Sequence, residues 1–147
     1  MKIVPVYVYL AGGMKSGWQD KVKEACEDLI AESAVEFFDP RDGAIKDPNV
    51  YIPRDIEAAN RSDIVFGCAE EDNPGLYALS AEVAWIKKQN GIVIIANLLK
   101  KDGDKYRYFR FVPKFCQARE TEGMEEAISI LRKAIKETVI HKYHPSH

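Results

Sequence analysis

Short runs of β-branched and aromatic residues alternate along the chain with stretches in which apolar residues recur every three or four positions. Residues 4–10, 35–38, 63–68 and 91–97 read as strands, and the near-continuous apolar run of the last suits a strand buried on both faces. Between them, three sets of residues predict amphipathic helices: Val22, Cys26, Leu29 and Ile30; then Ile52, Ile56 and Ala59; then Leu79, Val83 and Ile86. Met124, Ile128, Leu131 and Ile135 predict a last helix, with Thr121 as its cap. This rhythm predicts an α/β fold: a single-domain flavodoxin/Rossmann-like parallel sheet of about five strands with helices on both faces. The domain is placed at residues 1–140 and a flexible tail at 141–147. Residues 98–119 are harder to read: a charged turn at 100–104 precedes an aromatic, basic segment at 106–115 that suits an edge strand or a flap.

Composition narrows the function classes. A chain of 147 residues with 46% hydrophobic and 30% charged residues has the profile of one globular domain that needs no disulfide or metal staple. Its 21 basic and 23 acidic side chains leave no excess positive charge to neutralise a run of phosphates, which argues against a nucleic-acid polymer as partner. No apolar stretch reaches the roughly 20 residues of a membrane span, and the N-terminal residues lack a signal-peptide layout, so no membrane partner is expected. Cys26, Cys68 and Cys116 are odd in number and widely spaced, which fits a reducing cytoplasm better than a disulfide framework or a zinc site. The histidines, His141, His144 and His147, all fall in the tail, and no metal site is assigned to them.

In open α/β sheets ligands bind beyond the carboxyl ends of the strands. That directs attention to residues 11–17, 39–47 and 69–75 and to the segment after Asn97. Gly12 and Gly13 let a ligand approach the backbone, while Lys15 and Ser16, near the start of a helix, suit an anion. The loop is neither a dinucleotide fingerprint nor a P-loop. Glu82 is the only charge in an otherwise apolar helical segment, 78–86; such a carboxylate is either paired or functional, or else lies at the stripe's edge with its head in solvent. Asp55 borders the inward stripe of Ile52, Ile56 and Ala59, as a site carboxyl or as the partner of Arg54 or Arg61. Asp39 supplies a polar contact at the end of the second strand or simply pairs with Arg41, and Asp63 closes a turn. Two carboxyls near strand ends beside a glycine loop suit acid/base or nucleophilic chemistry on a small polar substrate.

Three blocks in order, 9–13 with 18–21, 55–67 and 73–85, resemble the nucleoside 2-deoxyribosyltransferase family over residues 6–97. The resemblance implies a cofactor-free, metal-free enzyme that cleaves or transfers the N-glycosidic bond of (deoxy)nucleosides. It implies Glu82 as nucleophile, Tyr9 as the hydroxyl that orients it, and Asp55 as the carboxyl that protonates the base. Asp72 is the nearest match to a sugar-binding Asp, and Asn73 belongs to the matching Asn-Pro-Gly stretch. The partners implied are a nucleoside or nucleotide and a free nucleobase. The family also implies a homo-oligomer in which a neighbouring subunit helps close the pocket. Two alternatives stand beside this reading: a nucleoside 5′-monophosphate N-glycosidase, for which Lys15 and Ser16 would serve a phosphate, and a non-catalytic nucleotide-binding or signalling domain on the same scaffold.

Overall fold

A computed structural model describes residues 4–143. Five strands form one all-parallel sheet: β1 (Val6–Gly12), β2 (Val35–Phe38), β3 (Ile64–Ala69), β4 (Ile92–Asn97) and β5 (Arg119–Thr121), in the order β2-β1-β3-β4-β5. This is the flavodoxin-like order, whose direction reverses between β1 and β3. The helices are α1 (Trp18–Ala25), α2 (Glu27–Ala31), α3 (Pro48–Arg61), α4 (Leu76–Lys88), α5 (Asp104–Phe109), α6 (Phe111–Phe115) and α7 (Met124–Tyr143).

Strand alternation divides the core in two. Val6, Val8 and Leu10 of β1 point to one face, where Val22 of α1, Leu29 of α2 and Ala127, Leu131 and Ile135 of α7 bury them. Tyr9 and Ala11 point to the other, covered by Ala58 and Ala59 of α3, Leu79, Val83 and Ile86 of α4, and Phe109 of α5. The two-residue period of β1 therefore sends Tyr9 toward α3 and α4. Asp47 caps α3 by accepting the Asn49 N–H at 3.0 Å, and Pro48 occupies its first position, where a missing N–H leaves no bond unmade.

Several local expectations need correction. The aromatic segment after Asn97 is neither edge strand nor flap but the short helices α5 and α6: Tyr106, Phe109, Val112 and Cys116 recur at helical spacing, and Phe109 and Cys116 are buried. The first predicted helix is two, because Cys26 leaves helical geometry at φ −115°. Thr121 ends β5 and donates its hydroxyl to the Gly123 carbonyl at 2.7 Å, so it does not cap α7 by accepting an N–H. The C-terminal helix continues through His141, Lys142 and Tyr143, residues expected in the tail. Lys142 Nζ anchors it by donating to Asp63 at 2.7 Å and to the Pro5 carbonyl at 3.1 Å. His144 and His147 lie outside the described residues. Asp63 is structural as expected, since it also accepts the Tyr7 N–H at 2.8 Å. Among the described residues no helix is long and apolar enough to cross a membrane.

Candidate active site

Tyr9 forms the floor of a cleft of about 400 Å³ between α3 and α4. One wall comes from α3, where Tyr51, Asp55 and Ala59 stack at four-residue spacing beside Ile52 and Ile56. The other comes from α4, where Ala78, Ala81, Glu82 and Trp85 share a face. Leu79, Val83 and Ile86 turn the neighbouring face of α4 into the core, so Glu82 stands at the boundary between core and cleft. Ala78 and Ala81 keep the space open because their side chains are small. Ile52 and Ile56, expected to face inward, are instead half exposed on the cleft wall, and Ala58 and Ala59 make the core contact.

The cleft holds polar groups the fold does not satisfy. Tyr9 Oη and Glu82 Oε2 are buried without a hydrogen-bond partner among the described residues. Leaving such groups unpaired is unfavourable by about 1–3 kcal/mol each. Burial pushes the Glu82 carboxyl up to about 8; the nearby Tyr9 hydroxyl opposes the rise, and the charge of Asp55 adds to it. Burial also drives the Tyr9 phenol far above its ordinary range, with the charges of Glu82 and Asp55 adding to the effect. Asp55 is raised by burial, against the pull of Arg54, whose Nε donates to Asp55 Oδ1 at 3.1 Å. Phe38 stacks on Tyr9 at 5.1 Å between ring centroids and fixes its ring.

The structure therefore brings Tyr9, Asp55 and Glu82 together, on helices and a strand interior rather than in the loops beyond the strand ends. The other expected site residues lie elsewhere. Asp39 is fully buried and fully occupied by Lys23 and Arg41, so its pairing reading holds and its carboxylate is not free for a substrate. Gly12 and Gly13 make room for protein: a Cβ on Gly13 would meet the Asn73 side chain at 1.3 Å, and one on Gly12, at φ +142°, would meet the Cys68 carbonyl oxygen at 2.6 Å. Asn73 is engaged in turn, donating to Glu70 at 3.2 Å and accepting the Gly75 N–H at 3.0 Å. Ser16 donates to Glu70 at 2.9 Å, and it lines with Lys15 a separate cleft also walled by Glu70, Glu71 and Asp72, an acidic setting for an anion. Asp72 lies there and in the groove beside α5, outside the Tyr9 cleft.

Tyr51 escapes the sequence reading, although its position one helical turn before Asp55 was the available signal. Cys68 is buried, and burial raises its thiol far above the reactive range. No group of three or more metal-ligating side chains is placed to hold an ion among the described residues.

The sequence matches no protein-family model and no curated protein. Its fold is similar to that of several solved structures. A 2-deoxyribosyltransferase from Bacillus psychrosaccharolyticus aligns at a TM-score of 0.50 and 17% identity, over 69% of this chain and 79% of that one. A conserved protein from Enterococcus faecalis V583 aligns at 0.52 and 10%, over 92% and 96%. A CMP N-glycosidase from Clostridium botulinum aligns at 0.49 and 18%, over 87% and 98%. At these identities what is shared is the fold: this chain has the α/β architecture that the first two of these proteins also adopt.

Proposed function

We propose that this protein is an enzyme that breaks the N-glycosidic bond of a nucleoside or nucleotide, passing the pentose to a second base or to water. The observation that carries this reading is the convergence of Glu82, Asp55 and Tyr9 on one largely apolar cleft, with Glu82 Oε2 and Tyr9 Oη buried and unpartnered among the described residues. The fold shared with a 2-deoxyribosyltransferase supports it.

The chemistry follows from the placement. As the C1′–N bond breaks, its electron pair leaves with the base and positive charge builds on the sugar. A Glu82 oxygen captures C1′ as a glycosyl ester, while protonated Asp55 gives its proton to the departing nitrogen. A second base, or water, then attacks C1′; Glu82 leaves as a carboxylate and Asp55 takes back a proton, so configuration is retained after two inversions. In the reacting complex the Tyr9 hydroxyl, unpartnered among the described residues in the resting fold, donates to the carboxylate of Glu82 and holds it toward C1′. Ile52, Ile56 and Trp85 supply the apolar walls against which a planar base packs.

Burial raises the proton affinity of both carboxyls, and of the one-proton forms of the pair the productive one has the proton on Asp55 and Glu82 ionised. The two carboxyls titrate together. Activity falls at low pH, where both are protonated and Glu82 cannot attack, and falls again at high pH, where both are ionised and no acid is left for the base.

The test is a product assay on nucleosides and their 5′-monophosphates, with and without added free base, read by chromatography and mass spectrometry. A new nucleoside appearing only with added base identifies transfer, and free base with free sugar or sugar phosphate identifies hydrolysis. Absence of any product across the panel contradicts the reading.

A further inference from the structure

Arg54 lies beside the cleft and lines none of it, yet every hydrogen bond of its guanidinium is spent on fixing the surroundings of Asp55. Nε donates to Asp55 Oδ1 at 3.1 Å, Nη1 to the Asp42 carbonyl at 2.6 Å, and Nη2 to the Pro40 carbonyl at 2.8 Å. The guanidinium carbon lies 5.3 Å from the centre of the Phe38 ring, the same ring that stacks on Tyr9. A planar cation held at four points cannot follow a mobile carboxylate; the carboxylate must come to it. Since Oδ1 accepts from Arg54, Oδ2 is left as the oxygen to carry a transferable proton.

We propose that Arg54 is a positioning residue for proton delivery, holding Asp55 by Oδ1 so that the proton is given to the leaving base from Oδ2, and stabilising the carboxylate that remains. The proposal rests on the N-glycosidic reading. Its physical basis is that negative charge develops on Asp55 as the proton leaves, and a fixed cation favours that charge more in the transition state than before it. Electrostatics agree: the Arg54 charge opposes the burial that raises the proton affinity of Asp55. The preceding loop is bound into the same device through the Pro40 and Asp42 carbonyls, which explains why a segment remote from the cleft is pinned to α3.

The experiment compares wild type, Arg54→Gln, Arg54→Lys and Asp55→Asn on 2′-deoxyguanosine and on its 7-methyl derivative, whose base is already cationic and departs without a proton. Arg54→Gln should lose about 10–100-fold in kcat on the ordinary nucleoside, and that deficit should exceed its deficit on the 7-methyl substrate by about tenfold or more. Arg54→Lys, which keeps the charge without the planar fork, should recover part of the loss. In the Asp55→Asn background, Arg54→Gln should cause no further loss, because the two act through one proton. Equal deficits on both substrates, or full additivity with Asp55→Asn, overturn the proposal and leave Arg54 a fold-stabilising residue. A second readout needs no turnover: a carboxyl-carbon NMR titration should show the Asp55 midpoint rising by about one pH unit in Arg54→Gln. An unmoved midpoint also overturns the proposal. If wild type releases no base from either substrate, the nucleoside and monophosphate panel decides the functional reading, and the titration still decides whether Arg54 governs Asp55.

Discussion

Two buried carboxylates, Asp39 at the end of β2 and Glu82 on α4, have opposite fates. Burial alone would raise both. Asp39 is met by Arg41, through its side chain and its backbone N–H, and by Lys23 at 2.7 Å; these bonds outweigh burial and hold its carboxyl down to about 2. Glu82 is met by a phenol, a second carboxyl and alanines, and it rises to about 8. The difference lies in what faces the group rather than in how deeply it sits. A carboxylate ringed by cations is a finished piece of structure, whereas one left facing an open apolar cleft keeps its reactivity and destabilises the fold to do so.

The sharpest way to break this comparison is at Glu82. Glu82→Ala should lower turnover by about a thousandfold or more while the far-ultraviolet spectrum stays native. Glu82→Gln should lose activity similarly but unfold at a higher temperature than wild type. The sign follows from the raised proton affinity: relative to an unfolded Glu near 4.5, the folded protein is penalised as pH rises toward 8, and the penalty is full above that. The gain should therefore be about 1–3 kcal/mol at pH 9 and close to nothing at pH 4, checked by thermal unfolding across pH.

Asp39 should behave in the opposite way. Asp39→Ala leaves Lys23 and Arg41 facing each other without their anion and should destabilise by about 3 kcal/mol, while activity per folded molecule changes little. Wild-type stability from this group is present above pH 4 and drains as pH falls toward 2. A more modest effect is expected at Tyr9. Tyr9→Phe removes a buried hydroxyl without a partner, so kcat should fall about 10–100-fold with stability unchanged or slightly raised. Smallest of all, Lys15→Ala and Ser16→Ala should change KM for an uncharged nucleoside by less than about threefold, since both residues line a different cleft. A large rise in KM for 5′-monophosphates alone would instead return the anion role to that loop.

Four of the five strands were legible because they are rich in β-branched and aromatic residues, and the main helices because they are amphipathic, signals that each act over a few residues; β5, Arg-Glu-Thr, carries no such signal. Asp55 and Glu82 were legible for the same reason, as charges out of place in apolar helical stripes. What stayed illegible depended on partners distant in sequence. The glycine loop was open to reading as a ligand cradle because Asn73, the side chain that fills the space above Gly13, lies 60 positions away. Asp39 kept two readings until Lys23 joined Arg41 beside it. The segment around Tyr106–Phe115 carries both two- and three-residue aromatic spacings, and only its packing against α4 selects the helical one.

In the proposed reaction Glu82 bonds to the sugar. The most direct measurement is peptide mass mapping after incubation with a 2′-deoxy-2′-fluoro nucleoside, whose electron-poor sugar slows breakdown of a glycosyl ester. The account predicts released base together with a fluoropentosyl adduct on the peptide carrying Glu82, absent from Glu82→Gln. Base release with the adduct on another residue, or an equal yield from Glu82→Gln, would contradict it.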